Sequence, residues 1–178
     1  MLNLLGKSAA RKERGRALEQ ELAARARAAL FFTKFGVPDT IDGRFDMMAL
    51  HAWLALAQLT SSGQDEAAQA LTDALFIGFD EALREQGISD MGMGRRMKAL
   101  ANAFYGRLAA YDAAKNHQQL AEALARNVWR GAVVDERARA LASYAESARA
   151  AMANAPDGTL DFGPLPSASS SEAAGHKK

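Results

Sequence analysis

Apolar and polar positions along most of this chain recur with a period near 3.6, the pattern of helices that bury one face. Residues 17 to 35 carry Leu18, Leu22, Ala26, Ala29 and Leu30 at that spacing, and Gly36 followed by Val37-Pro38 supplies a stop. The stretch GVPDTIDGRF, residues 36 to 45, offers Asp39, Thr40 and Asp42 as side-chain caps and reads as an ordered loop leading into a helix. From Phe45 to Leu59, a stripe of Phe45, Met48, Ala49, Ala52, Leu56 and Leu59 is joined on the other side by Met47, Leu50, Trp53, Leu54 and Ala57. A helix apolar nearly all round either lies at the centre of a core or keeps one face for a partner. His51 and Gln58 share its narrow polar line.

TSSGQ, residues 60 to 64, separates this from a helix at about 65 to 86. Its predicted buried line is Leu71, Ala74, Leu75, Gly78, Phe79 and Ala82, and its polar side holds Asp73, Asp80, Glu81 and Arg84. Gly87 and ISDMGMG make the next turn, with Asp90 or Gly92 as the cap of the following helix. Asn116 is placed to cap a helix ending at Arg130-Gly131, and Asp135 another running to about Asn154. The pattern therefore predicts about six helices. Pro156-Asp157-Gly158 ends it, and PLPSASSSEAAGHKK has too little apolar surface to offset its ordering entropy, which predicts a disordered tail containing His176. No repeat of fixed period and no sustained heptads are present.

The stretch MKALANAFYGRLAAY, residues 97 to 111, places Gly106 inside a helix, where alanine is favoured by about 1 kcal/mol. Projection at 100° per residue gives three stripes. Met97, Leu100, Ala101, Phe104, Leu108 and Tyr111 form a broad face of large residues, while Ala99, Ala103, Gly106 and Ala110 fall together almost opposite it. The small stripe predicts a groove in which a second helix approaches closely, so that the helix is sandwiched, with backbone kinking or docking of a partner as the alternatives for Gly106. Lys98, Asn102, Tyr105 and Asp112 make a polar edge suited to docking, and Arg107, at the border of the faces, needs a carboxylate such as Asp80 or Asp90.

The totals narrow the class. With 178 residues one domain plus tails is expected, and the scarcity of valine and isoleucine beside abundant alanine, leucine, arginine and glutamate leaves little material for a sheet. The absence of cysteine removes disulfides, thiolate catalysis and thiolate metal sites. No run approaches a membrane span, and Met1-Leu2-Asn3-Leu4-Leu5 is too short for a secretory signal, so a soluble protein is expected. The net charge of +1 hides a basic front: residues 1 to 34 hold eight Lys/Arg against three Asp/Glu. That front is either a solvated helix face or an attraction to anionic lipid or ribosomal RNA. Glu13, Glu19 and Glu21 count against a mitochondrial transit peptide.

Candidate chemistry is sparse. His51 and His117 lie on different predicted helices, and neither has a second ligand at i+3 or i+4. His51 reads more readily as a surface or satisfied core histidine than as a ligand or base. MGMGRRMK lacks both the preceding strand and the Lys-Ser/Thr ending of a phosphate loop. The expectation is a protein that is not an enzyme and holds no cofactor or metal.

The strings VPDTIDGRFDMMALH (37 to 51), FDEALREQGISD (79 to 90) and GRRMKALANAFYGRLAAYD (94 to 112) resemble the ubiquinol-cytochrome c chaperone family in its alphaproteobacterial form. The resemblance covers about residues 15 to 150, and the Gly-Arg-Phe and Phe-Tyr-Gly-Arg strings are specific. Gly43, Arg44, Phe45, His51, Asp80, Leu83, Arg84, Glu85, Gly87, Asp90, Lys98, Phe104, Tyr105, Gly106 and Arg107 match its pattern. An acid often stands two before Asp80 in that pattern; Gly78 stands there in this chain, which removes one carboxylate from any paired acidic site. The resemblance implies a helical assembly factor of the cytochrome bc complex. Its eukaryotic relatives act at the mitochondrial ribosome and inner membrane and hold newly made cytochrome b before it enters respiratory complex III.

The combined expectation is an all-α protein with a flexible basic segment at 1–14, one compact helical domain at 15–154 and a disordered tail at 155–178. Candidate client or partner contacts are Arg44, His51, Trp53, Asp80, Arg84, Lys98, Asn102, Tyr105 and Arg107, and Phe45, Gly78, Phe104 and Gly106 are expected to pack. The second face of the 45 to 59 helix is the expected apolar docking patch. The expected partners are cytochrome b, with the ribosome or a partner assembly factor, and a peripheral contact with anionic membrane, but no DNA. The expected location is the cytoplasm and the face of the inner membrane. Rival readings are a helical adaptor or scaffold, and a binder of haem or quinone through His51.

Overall fold

The computed structural model describes residues 2–131, 133–156 and 159–166, with side chains placed from residue 6 onward. Seven helices and no strands occur among them: α1 (Leu2–Ala26), α2 (Ala29–Thr33), α3 (Ile41–Ser61), α4 (Asp65–Glu85), α5 (Asp90–Asp112), α6 (His117–Val128) and α7 (Glu136–Ala153). The all-α expectation holds, and the six predicted runs are all present. The additional helix arises because the first run breaks at Ala28, whose backbone is extended at φ −57° and ψ 127°. That break re-aims α2 so that the fully buried Phe31 meets His51 and Tyr144, with ring centroids 5.2 and 5.0 Å away.

The caps explain where the helices begin. Thr40 accepts a hydrogen bond from Gly43 N–H, so α3 begins four residues before the predicted Phe45. Asn116 accepts from Gln119 N–H and Asp135 from Ala138 N–H, as the sequence suggests for α6 and α7. At α5 the N-cap position is Ser89 rather than Asp90 or Gly92, and Asp90 instead uses its carboxylate on Arg84.

α3 is the axis of the molecule, packed by α1, α4, α5, α6 and α7. Met47, Leu50, Trp53 and Leu54 are at most 3% exposed. The face expected to dock a client is therefore inside the core, because five helices surround an element that is apolar on nearly every side. The α1–α4 contact requires a glycine: a methyl group on Gly15 would collide with the backbone carbonyl of Ala70. Gly43 is held in the same way against the carbonyl of Pro38.

Both ends depart from the sequence expectation within the described residues. α1 begins at Leu2, so 2–14 are helical, and Arg11 reaches Asp73 of α4. At the other end Leu160 and Phe162 are buried, and the strap 159–166 lies against α1, where Arg25 donates to the carbonyls of Phe162 and Gly163. The remainder of the expected tail, 167–178, lies outside the described residues.

The sandwich expected around α5 is not there. Ala99 and Gly106 face solvent, and a methyl group on Gly106 would meet nothing within 4 Å. The large-residue face packs inward as predicted, with Phe104 and Tyr111 fully buried, while the small stripe is covered only in part: Ala103 and Ala110 are half-buried, Ala110 against the core, and Ala99 and Gly106 are open.

Two glycines inside helices should thus respond oppositely to the same substitution. Gly106→Ala should raise stability by about 0.5–1 kcal/mol, the helix-propensity gain at an open site. Gly15→Ala should lower it by about 1–3 kcal/mol, because a backbone carbonyl must move. Thermal melting of both variants checks the pair.

Candidate functional site

The candidate residues divide between the interior and one helical hairpin. Asp46 has no exposure, and its carboxylate accepts from Arg107 Nε at 2.7 Å and from Arg130 Nη1 at 2.9 Å. The expected partners of Arg107, Asp80 and Asp90, are instead both held by Arg84, at 2.8 and 2.9 Å. Burial pushes the Asp46 carboxyl above its ordinary range, against the pull of the two guanidiniums. Arg107 also donates to the Ala103 carbonyl and covers the Phe45 ring at 4.9 Å. Arg130 reaches Asp46 from a left-handed backbone, φ 56°, just past the end of α6. Nearby, the buried hydroxyl of Tyr111 has no hydrogen-bond partner among the described residues.

His51 is also fully buried, and both ring nitrogens are engaged. Its Nδ1 lies 2.7 Å from the Met47 carbonyl, an acceptor, so Nδ1 carries the proton. Nε2 then accepts from the Tyr144 hydroxyl at 2.8 Å, and that hydroxyl accepts from Arg25 Nε at 2.9 Å. Desolvation lowers the His51 pKa to about 4. This is a satisfied core histidine, with no lone pair left for an external ligand. Trp53 is likewise interior: its Nε1 donates to Asp112 at 2.6 Å, and Arg149 covers its ring at 5.2 Å. Both side chains are turned into the core.

The other candidates gather on the α4–α5 hairpin. Arg84 joins Asp80 to Asp90 across the turn, with Arg84 and Asp90 exposed and Asp80 partly buried. Gly78 sits inward of this turn, close to Glu19 of α1. On α5, Lys98 and Asn102 are exposed, and Tyr105 is half exposed while stacking on Phe76 at 5.8 Å and 23°. Phe45, Phe76, Phe79, Phe104 and Tyr105 form one chain of ring contacts at 5.3–5.8 Å, of which only Phe104 is fully buried. Arg44 stands apart at the start of α3, exposed and bound to Asp39, whose carboxyl it holds below the usual range.

Sequence reading missed Asp46 and Arg130. The available signal was a lone acid in register with Leu50 and Trp53, on a helix otherwise apolar at those positions. Arg25 and Tyr144 gave none, since they lie 119 positions apart.

Comparisons with known proteins converge. A family model described as Ubiquinol-cytochrome C chaperone matches residues 33–165, which include every candidate residue. Ubiquinol-cytochrome-c reductase complex assembly factor 1 of Xenopus laevis is 24% identical over 102 residues, 55% of this chain and 51% of that protein. The chain thus spans about half the length of this curated relative. The crystal structure of the Cbp3 homolog from Brucella abortus matches with a TM-score of 0.78 and 33% identity, over 92% of this chain and 96% of that one.

Two interior predictions follow from the geometry. Asp46→Ala should cost about 3–5 kcal/mol, since Arg107 is left nearly buried without its acid, and denaturant unfolding measures the loss. His51 is neutral in the fold and binds its proton only near pH 4, whereas the unfolded chain binds it near 6.5. Its contribution is complete above pH 6.5 and is lost as pH falls towards 4, by about 2 kcal/mol at pH 5. His51→Gln should flatten the stability profile between pH 6.5 and 5.

Proposed function

The chain belongs to the ubiquinol-cytochrome C chaperone family, and from that membership we propose a non-enzymatic assembly chaperone that binds newly made cytochrome b during biogenesis of ubiquinol-cytochrome c reductase. The family match over 33–165 is the observation that carries this reading. The surface is suited to the task. A chaperone for an apolar client needs accessible apolar groups beside charges that keep it dissolved. The half-buried rings of Phe45, Phe76 and Phe79 and the exposed ring of Tyr105, beside the ion pairs of Arg84, offer this combination on the α3–α5 side. Asp80, Arg84, Lys98, Asn102 and Tyr105 are the side chains of this surface available to a client or partner, and Arg44 is a separate candidate at the start of α3.

No helix among the described residues is long and apolar enough to cross a membrane. The protein works from the cytoplasm and reaches the inner membrane peripherally, its basic first helix drawn to anionic lipid or to the ribosome from which the client emerges. A haem reading through His51 finds no support in the site, because both ring nitrogens already have protein partners.

Deleting the gene should lower the amount of spectrally intact cytochrome bc complex while transcripts of its subunits stay unchanged. Cytochrome b should co-purify with the tagged protein in cells assembling the complex. A deletion strain with normal levels of the complex overturns the proposal.

A further inference from the structure

α5 presents an outward face that no other described residue covers. Residues 91 to 111 contain no acid, and Arg95, Arg96 and Lys98 are exposed and make no ion pair or side-chain hydrogen bond among the described residues. The nearby acids Asp80 and Asp90 are taken by Arg84. Two exposed apolar side chains share the helix, Met91 at 95% exposure and Tyr105 at 50%. Beyond Tyr105 the surface is low: Gly106 has open space around it, at a helix-propensity cost of about 1 kcal/mol that no contact among the described residues offsets.

From this charge and shape, which rest on the assembly-factor reading, we infer that the outward face of α5 docks an acidic amphipathic helix of a partner protein. The three unpaired cations fall within one turn, matching carboxylates at i, i+3 or i+4 on the incoming helix. The small residues let its backbone come within the 8–10 Å axis separation of packed helices. Tyr105, already held on one side by Phe76, supplies a rigid aromatic anchor at the rim. A lipid headgroup would also answer the cations, but a flat lipid surface has no use for the gap at Gly106.

The test places a photo-reactive benzoylphenylalanine at Asn102 of the full chain in its native cell and identifies the cross-linked peptide by mass spectrometry. The expected adduct is with a helical segment of net negative charge. Reversing Arg95, Arg96 and Lys98 to Glu should reduce it at least tenfold, while Arg139→Glu on α7 leaves it unchanged. Gly106→Leu should melt no lower than the natural chain yet also reduce the adduct, which separates docking from folding. The inference fails if no peptide adduct forms, if the adduct maps to a segment that is not acidic, or if charge reversal leaves it intact. It also fails if vesicles of phosphatidylcholine and phosphatidylglycerol bind the chain through the same cations while no peptide adduct appears. Measuring the cytochrome bc complex in these strains separates the two readings. An intact assembly function without an acidic adduct overturns only the docking partner, whereas normal complex in the deletion strain overturns the assembly role.

Discussion

A carboxylate removed from water must be met by cations or give up its charge, and Asp46 imposes that constraint on this fold. It sits early in the central helix, and the cations that meet it come from α5 and from the link between α6 and α7. One acid therefore fixes three parts of the chain that are 61 and 84 positions apart. Arg130 supplies its share from a left-handed backbone that a glycine would adopt with less strain, a cost of about 1–3 kcal/mol. The ion pair gives a reason for a non-glycine residue there. A net gain in stability over an apolar core need not follow; what such a pair secures is one arrangement of α3, α5 and α6 rather than several.

That arrangement decides which candidate side chains are buried and which reach the surface. The middle of an apolar helix surrounded by five others has no face to lend, so Met47 to Leu54 are withdrawn from docking, His51 and Trp53 among them, and only the first turns of α3 near Arg44 and Phe45 reach the surface. Arg107 is withdrawn too, occupied by Asp46, the Ala103 carbonyl and the Phe45 ring. What remains open is the side of α5 opposite Phe104 and Tyr111. The inward-facing half of that helix supplies core, and the outward half is left with unpaired charge and little bulk.

The helices were legible because apolar period and capping chemistry agreed along the chain, as at Asn116 and Asp135. The break at Ala28 was not, since Arg-Ala-Arg-Ala-Ala favours continued helix, while the folded chain breaks there and buries Phe31. Periodicity divided α5 into its three stripes correctly and misjudged what covers them. A stripe of small residues reads the same whether it meets a second helix or open solvent, because the deciding contact is tertiary. The partner of Arg107 failed for a related reason: Asp80 and Asp90 were plausible by charge, but they are closer to Arg84, four and six positions away. The strap residues Leu160 and Phe162 were hidden by polar, Pro- and Gly-containing surroundings that resemble a tail.

The strength of the contacts is graded along the α4–α5 hairpin, and the gradient bears on how a partner would be held. At its inner part Phe104 and Tyr111 are fully buried and Arg107 meets Asp46, so opening there would disturb the core. At its outer end the turn is joined by the two exposed pairs of Arg84, and ion pairs in solvent are worth about 0–1 kcal/mol each. Local opening therefore begins at the tip, near Gly87 and Met91, and dies away towards Phe104. A helix lying along α5 would span both regimes, resting its backbone over the firm segment at Gly106 while its carboxylates engage cations on the softer one. Binding would order the tip at some entropic cost, which keeps affinity below what the contact area alone implies. Under the proposed assembly role, in which a client must be released, such weakening at one end permits dissociation to start there without unfolding the domain.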